Sequence, residues 1–272
     1  MDLDLLAFLA EDVGAGDVTT RAIGGDARVR ADLVAREACV VCGLDEAAAV
    51  FAHLGAKVER LRADGDEVAE GEVAMRVDGP ASAVLTGERL ALNLVMRMSG
   101  IATATRRVQA SVAARNPACR VAATRKTTPG FRRFEKRAVV VGGGDPHRAG
   151  LWDAFLVKDN HLLIEPDARR AVARCRALDP AKPLQVEADT AQQALAAAEA
   201  GADAVLLDNF TPEAARVVYR ELKARFPRLL VEVSGGVTEE TAPLYADAAD
   251  RISMGSLTHS ARSVDFGLDV RT

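Results

Sequence analysis

The 272-residue chain is predicted to be an α/β protein with two differently organised regions. Up to about residue 80, short segments alternate apolar and polar residues between Asp-Gly turns, as half-buried strands do. From about residue 118, apolar runs recur every 20 to 30 residues or so with helical stretches between them, the spacing of βα units in a parallel sheet. Each of those runs also stops at a polar residue or a glycine, which bears on function below.

In the first region "ARVRADLVA", "AKVERLRADG" and "EVAMRVDG" read as strands, and "LDEAAAVFAHLG" as a helix that carries His53 and ends at Gly55. The segment "ADGDEVAEGEVAMRV" is similar to the hairpins of biotinyl or lipoyl carrier domains, but it lacks their hairpin-tip lysine, so no carrier role is expected. "SAVLTGERLALNLVMRMSG", Ser82 to Gly100, reads as a long helix leaving this region. The later strands are "CRVAATRK", "DAFLVKDNH", "LQVEAD", "AVLLDNF", "LLVEVSGG" and "RISMGSL". Between them lie helices such as "TAQQALAAAEAGA" and "TPEAARVVYRELKARFP", the second with Thr211 as N-cap and Pro212 at its first position.

Composition removes several function classes. Aromatics are only 4% of residues, too few for a base-stacking surface, and a net charge of -4 makes a poor general partner for a polyanion. Nucleic acid is therefore not an expected partner. The first residues are acidic where a signal peptide would be basic, and the apolar run after Leu90 is broken by Arg97 and Gly100. No membrane association and a cytoplasmic location are expected. Cys39 and Cys42 have metal-like spacing, but no second such pair exists and valines lie between them, so buried strand cysteines are the favoured reading.

Against this acidic background, "TRKTTPGFRRFEKRAVVVGGGDPHR" (Thr124 to Arg148) carries seven Lys or Arg and two acids. Part of it is a helix, with Phe131, Phe134, Ala138 and Val141 at helical spacing and glycines at its end. Arg132, Arg133, Lys136 and Arg137 fall mainly on its other face and are expected to be solvated or to line an interface. Arg125, Lys126, His147 and Arg148 flank the helix at strand or loop ends and are the candidates for chemistry.

The later runs stop at Lys126, Lys158, Glu187, Asp208, Ser234 and Gly255. In a parallel sheet such ends share one face, which in β/α barrels carries the active site. Cations there, with free amides of "VSGGVT" and "SMGSLT", indicate a phosphorylated anion. Glu187 and Asp208 beside a phosphate would hold a divalent metal or stabilise a developing positive charge. A pentose 1-diphosphate reacting through an oxocarbenium-like state meets these demands, and the surplus cations imply an acceptor that is itself an anion.

"TRKTTPG", "GGGDPHR", "VKDNH", "LLDNF", "SGG" and "GSLTHS", in that order, together with "EDVGAGDVTTRAI" and "ERLALNLVMRMSGIAT", closely resemble the quinolinate phosphoribosyltransferase family. The resemblance spans nearly the whole chain. It implies an N-terminal α/β-sandwich domain on an incomplete, open β/α barrel. The boundaries are 1–103 for the sandwich, with the tail 258–272 packing back onto it, and 104–257 for the barrel. It implies that quinolinate and phosphoribosyl diphosphate give nicotinate mononucleotide, diphosphate and CO2 with Mg2+, in NAD biosynthesis. By match of motif, Arg89, Arg125, Lys126, His147, Arg148 and Lys158 would bind the anionic reactants. Glu187 and Asp208 would serve the ribose and the metal, directly or through the diphosphate, and Ser234, Gly235 and Gly255 would hold phosphate. Lys126, Glu187 and Asp208 would be the catalytic residues. The resemblance further implies a homodimer with shared active sites, or a higher oligomer, with Arg89 reaching the partner's site.

One departure lies at the strand "LQVEAD", where the family often reads "VEVE" and this chain has "VEAD" after Gln185. Other roles stay open for some residues. Lys158 could pair with Asp159 or form a Schiff base; Asn160 and His161 could simply cap the following loop; His259 could cap a helix or support phosphate. A paralogue grouped with molybdenum transport shares the fold but loses parts of the lysine and histidine motifs, which are intact here. A non-catalytic phosphosugar-binding protein would not need Glu187 and Asp208 on adjacent strands.

Overall fold

The computed structural model describes residues 2–24 and 27–271. In chain order its elements are α1 (Leu3–Val13), α2 (Val18–Ile23), β1 (Arg28–Ala35), β2 (Cys39–Val40), α3 (Leu44–His53), β3 (Lys57–Arg60), β4 (Glu67–Val68), β5 (Val73–Pro80) and the long α4 (Ala81–Ala113). There follow β6 (Arg120–Ala122), α5 (Arg132–Val141), β7 (Phe155–Val157), α6 (Asp159–Ile164), α7 (Ala168–Leu178), β8 (Leu184–Ala188) and α8 (Ala191–Glu199). The last are β9 (Ala204–Asp208), α9 (Pro212–Arg225), β10 (Leu230–Ser234), β11 (Arg251–Ser253), α10 (Ser256–His259) and β12 (Phe266–Arg271). The chain divides into two compact units, Met1–Arg106 with Thr128–Gly143 and Ala261–Thr272, and Arg107–Thr127 with Gly144–Ser260.

The first unit is built on an antiparallel sheet of order β12-β1-β5-β3, with β2 and β4 forming a separate two-stranded ribbon. Alternation along β1 sends Val29, Ala31 and Leu33 into a core shared with Leu44, Ala47 and Phe51 of α3. The intervening Arg28 and Arg30 are exposed, and Asp78 of β5 accepts from both at 2.9 Å. Such cross-strand charge pairs favour this register. Cys39 and Cys42 are buried, and burial pushes the Cys39 thiol up to about 11 and the Cys42 thiol further still. Neither is poised to act as a thiolate.

Two features of this unit differ from the sequence expectation. Helix α4 does not stop at Gly100 but continues to Ala113. A side chain at Gly100 would place its Cβ 2.0 Å from the Arg262 carbonyl oxygen, so this glycine marks a close backbone approach rather than a helix end. That contact outweighs the roughly 1 kcal/mol by which glycine disfavours a helix. The basic face of α5, expected to be solvated or interfacial, is instead neutralised within the unit. Arg133 pairs with Asp2 at 2.6 Å and Asp4 at 2.7 Å, and Arg137 with Asp45, Glu46 and Asp64 at 2.6 to 2.9 Å. Lys136 is buried, and the wholly buried Glu135 receives Arg97 at 2.8 Å.

The second unit is a six-stranded parallel sheet of order β6-β11-β10-β9-β8-β7. The edge strands β6 and β7 are not bonded to each other, so the barrel is open, as the family resemblance implies. Val121, Val186, Val205, Val231, Val233 and Ile252 are buried on the face of the sheet opposite the one that carries Leu206 and Glu232. Helix α8 presents small buried residues, Ala194 and Ala197, and starts with a capping box in which Thr190 and Gln193 each accept the other's backbone N–H. Thr211 caps α9 with Pro212 in the first turn, as predicted. Among the described residues no helix is long and apolar enough to cross a membrane.

Candidate active site

The C-terminal ends of the parallel strands surround an open cleft of about 830 Å³, all within the second unit. Arg125 and Lys126 follow β6, His147 and Arg148 precede β7, and Lys158 directly follows it; all five line the cleft. So do Asp208 at the end of β9, Ser234 at the end of β10 with Gly235 after it, and Gly255 and His259 after β11. Glu187, on β8, is reached through Lys158, whose Nζ bonds its carboxylate. Arg89 is exposed on α4 in the first unit.

Local bonds set these side chains in place. The Lys126 N–H donates to Thr124 Oγ1 at 3.0 Å, and its carbonyl accepts from Thr258 Oγ1 at 2.8 Å. A Cβ at Gly255 would come within 2.8 Å of Lys126 Cδ, so the glycine leaves the lysine its path. Gly235 has φ 93, and a Cβ there would sit 2.2 Å from Asn209 Oδ1. Only glycine meets both conditions. Asn209, itself at φ 57, donates its side-chain amide to Asp208 Oδ2 at 2.6 Å and its backbone N–H to the Ser234 carbonyl at 2.9 Å. The β9 and β10 ends are thereby locked together. The His161 ring accepts the Lys158 N–H at 3.0 Å, the local capping role that the sequence left open for it.

The charge balance of the cleft is uneven. Arg125, Lys126 and Arg148 form no ion pair with any described residue. Burial, and then the neighbouring Arg125 charge, push the Arg148 guanidinium below its usual value. Like cations gathered close together and not ion-paired favour a bound anion. The backbone N–H groups of Gly235, Gly236 and Val237 donate to no protein acceptor among the described residues and add to that preference. Asp208 is shifted the other way, its carboxyl raised by burial and by the like charge of Glu187. An ionised Asp208 is therefore relieved by a positive charge arriving beside it.

Both domain models of quinolinate phosphoribosyl transferase match the chain, the N-terminal one over residues 17–99 and the C-terminal one over 101–269. The chain belongs to the quinolinate phosphoribosyltransferase family. Curated relatives include the probable nicotinate-nucleotide pyrophosphorylase [carboxylating] of Methanothermobacter thermautotrophicus, 44% identical over 97% of this chain and 96% of that protein. The nicotinate-nucleotide pyrophosphorylase [carboxylating] of Rattus norvegicus is 41% identical over 90% and 83%. The crystal structure of nicotinate-nucleotide pyrophosphorylase from Ehrlichia chaffeensis matches with a TM-score of 0.92 at 30% identity, over 100% of this chain and 99% of that one.

Sequence reasoning passed over Glu232, which lies in the family's barrel interior at the floor of the cleft, wholly buried on β10. Burial alone would raise its carboxyl. Bonds from His147 and Ser253 and the charge of Arg251 outweigh burial and hold it at about 2. The signal was an acid inside the apolar run "LLVEVSGG", a position that a charge occupies only with partners. A depressed carboxyl adds stability above its ordinary value of 4.5, and that stability is lost as pH falls through about 2. Glu232→Gln should therefore be less stable than the parent at neutral pH, and denaturant unfolding should show the gap closing between pH 4.5 and about 2. A gap unchanged at the acid end would mean that the charge is not what stabilises the fold.

Proposed function

We propose that the chain transfers the phosphoribosyl group of phosphoribosyl diphosphate to quinolinate, giving nicotinate mononucleotide, diphosphate and CO2 in the synthesis of NAD. The observation that carries this is the set of unpaired cations facing Asp208 across one cleft. Two anionic reactants need the cations, and a ribosyl cation needs the carboxylate. The pyridine nitrogen forms its bond to the ribose C1′ as the C1′–O bond to diphosphate breaks, with the electron pair leaving on diphosphate. The carboxylate next to the ring nitrogen then departs as CO2 and a proton takes its place.

In this reading Arg125, Arg148 and the partner-supplied Arg89 hold the quinolinate carboxylates, with His147 beside them. Lys126 reaches both reactants, and the Ser234, Gly235 and Gly255 backbone cradles phosphate. Lys158 exchanges its Glu187 contact for an anion when the site fills. Glu187 and Asp208 stabilise the ribosyl cation. Among the described residues no three His, Cys, Asp or Glu side chains gather to hold a metal. Two carboxylates suit Mg2+, which commonly takes one or two of them together with substrate phosphates. Glu187 and Asp208 would hold it directly or through the diphosphate, and it would neutralise charge on the leaving group. The working assembly is a cytoplasmic homodimer, or a higher oligomer built from it, with shared sites.

Acceptor choice tests this reading. Nicotinate has one carboxylate and leaves part of the cation cluster unsatisfied, which is costly in a partly buried site. It should react at least about a hundredfold more slowly than quinolinate, measured as diphosphate release from phosphoribosyl diphosphate. Comparable kcat/KM for the two acceptors would overturn it.

A further inference from the structure

Beneath the cleft the charged groups close into a ring. Glu232 Oε2 accepts from Arg251 Nε at 2.7 Å, Gln185 Nε2 at 3.0 Å and His147 Nε2 at 3.2 Å, while Ser253 bonds its other oxygen. Arg251 forks, its Nη1 reaching Asp145 Oδ2 at 3.2 Å. Asp145 Oδ1 in turn accepts the His147 backbone N–H at 2.6 Å. His147 is thus gripped at its ring by one acid and at its backbone by another, and Arg251 ties the two acids together.

The remaining ring nitrogen is also occupied. His147 Nδ1 accepts the Arg148 backbone N–H at 2.7 Å. A ring nitrogen whose lone pair accepts a hydrogen bond bears no proton of its own, so the ring proton lies on Nε2, toward Glu232. No ring N–H is left for a ligand. His147 also has φ 52, a left-handed conformation that costs a non-glycine residue and persists only where its surroundings hold it. Arg148 leaves the chain directly from this held residue. Its guanidinium is anchored by one bond, from Nη1 to the Ala154 carbonyl at 3.2 Å, and no carboxylate pairs with it among the described residues. Its direction is therefore set by the backbone that His147 fixes.

We infer that Glu232 is a positioning residue that acts through His147 to aim Arg148 into the cleft. The inference rests on the reading of Arg148 as a quinolinate ligand. A buried cluster that served stability alone would make no distinction between backgrounds with and without Arg148.

The test is a double-mutant cycle on quinolinate affinity, measured by direct titration of the full-length protein. Arg148→Ala should weaken binding. Glu232→Gln should weaken it by about tenfold in the parent but by less than about twofold in the Arg148→Ala background, because the interaction it orients is already gone. Equal losses in both backgrounds, or no loss from Glu232→Gln, overturn the inference while leaving the reading of Arg148 standing. Normal binding by Arg148→Ala overturns both. His147→Asn guards against a Glu232 variant that fails to fold. Asparagine tolerates the left-handed backbone but is too short to reach Glu232, and the same background dependence is expected. In parent protein labelled with ¹⁵N-histidine, the His147 resonances, assigned by their loss in that variant, should show Nε2 protonated and Nδ1 bare. The opposite tautomer would break the relay.

Discussion

Mixing Arg89→Ala and Lys126→Ala subunits should restore activity that neither homodimer has. Each substitution removes a cation proposed to hold an anionic reactant, so each homodimer should be nearly inactive. Random subunit exchange makes about half the dimers mixed. With Arg89 acting in the partner's site, every mixed dimer has one site with both defects and one intact. Activity then recovers to about a quarter of the parent value. With Arg89 acting within its own chain, every site keeps one defect and nothing recovers. Absence of recovery, with exchange confirmed by mass-tagged subunits, would refute the shared site.

Asp208→Asn and Glu187→Gln should lower kcat while leaving quinolinate affinity nearly unchanged. The Asp208 carboxyl is raised by burial and by Glu187, so its negative charge is unfavourable in the resting site and becomes favourable as a ribosyl cation develops. An interaction that strengthens only in the transition state appears in kcat. Removing one such electrostatic partner costs on the order of a hundredfold or more. Glu187→Gln carries a second effect, because it releases Lys158 from its carboxylate partner. Quinolinate should then bind no more weakly, and the kcat loss should remain. A rise in quinolinate Kd with kcat preserved would place both carboxylates in ground-state binding instead.

The strand ends were legible because each apolar run broke at a residue that a buried strand cannot easily carry. Lys158, Asp208, Ser234 and Gly255 mark those breaks, and the fold gathers all four at one cleft. Thr211 and Pro212 announced α9 through chemistry confined to one helical turn. What stayed hidden depended on partners distant in sequence. The basic face of α5 read as solvent-facing because Asp2, Asp4, Asp45, Glu46 and Asp64 are brought to it only by folding. Gly100 looked like a helix end until the chain at Arg262 was seen to press against it. Glu232 was absorbed into an apolar run because Arg251 and Ser253 meet it from the adjacent β11, Gln185 from β8 beyond β9, and His147 from a loop. Periodicity reports which face of an element is buried, not which charges will meet there.

In the proposed function one cleft couples ribosyl transfer to loss of a carboxylate. The most direct measurement of that coupling is product stoichiometry with quinolinate ¹³C-labelled at the carboxylate next to the ring nitrogen. Labelled CO2, diphosphate and nicotinate mononucleotide should appear in equal amounts throughout the reaction, and none of the three when either substrate is omitted. Diphosphate released without labelled CO2, or a nucleotide product that retains both carboxylates, would contradict the coupling.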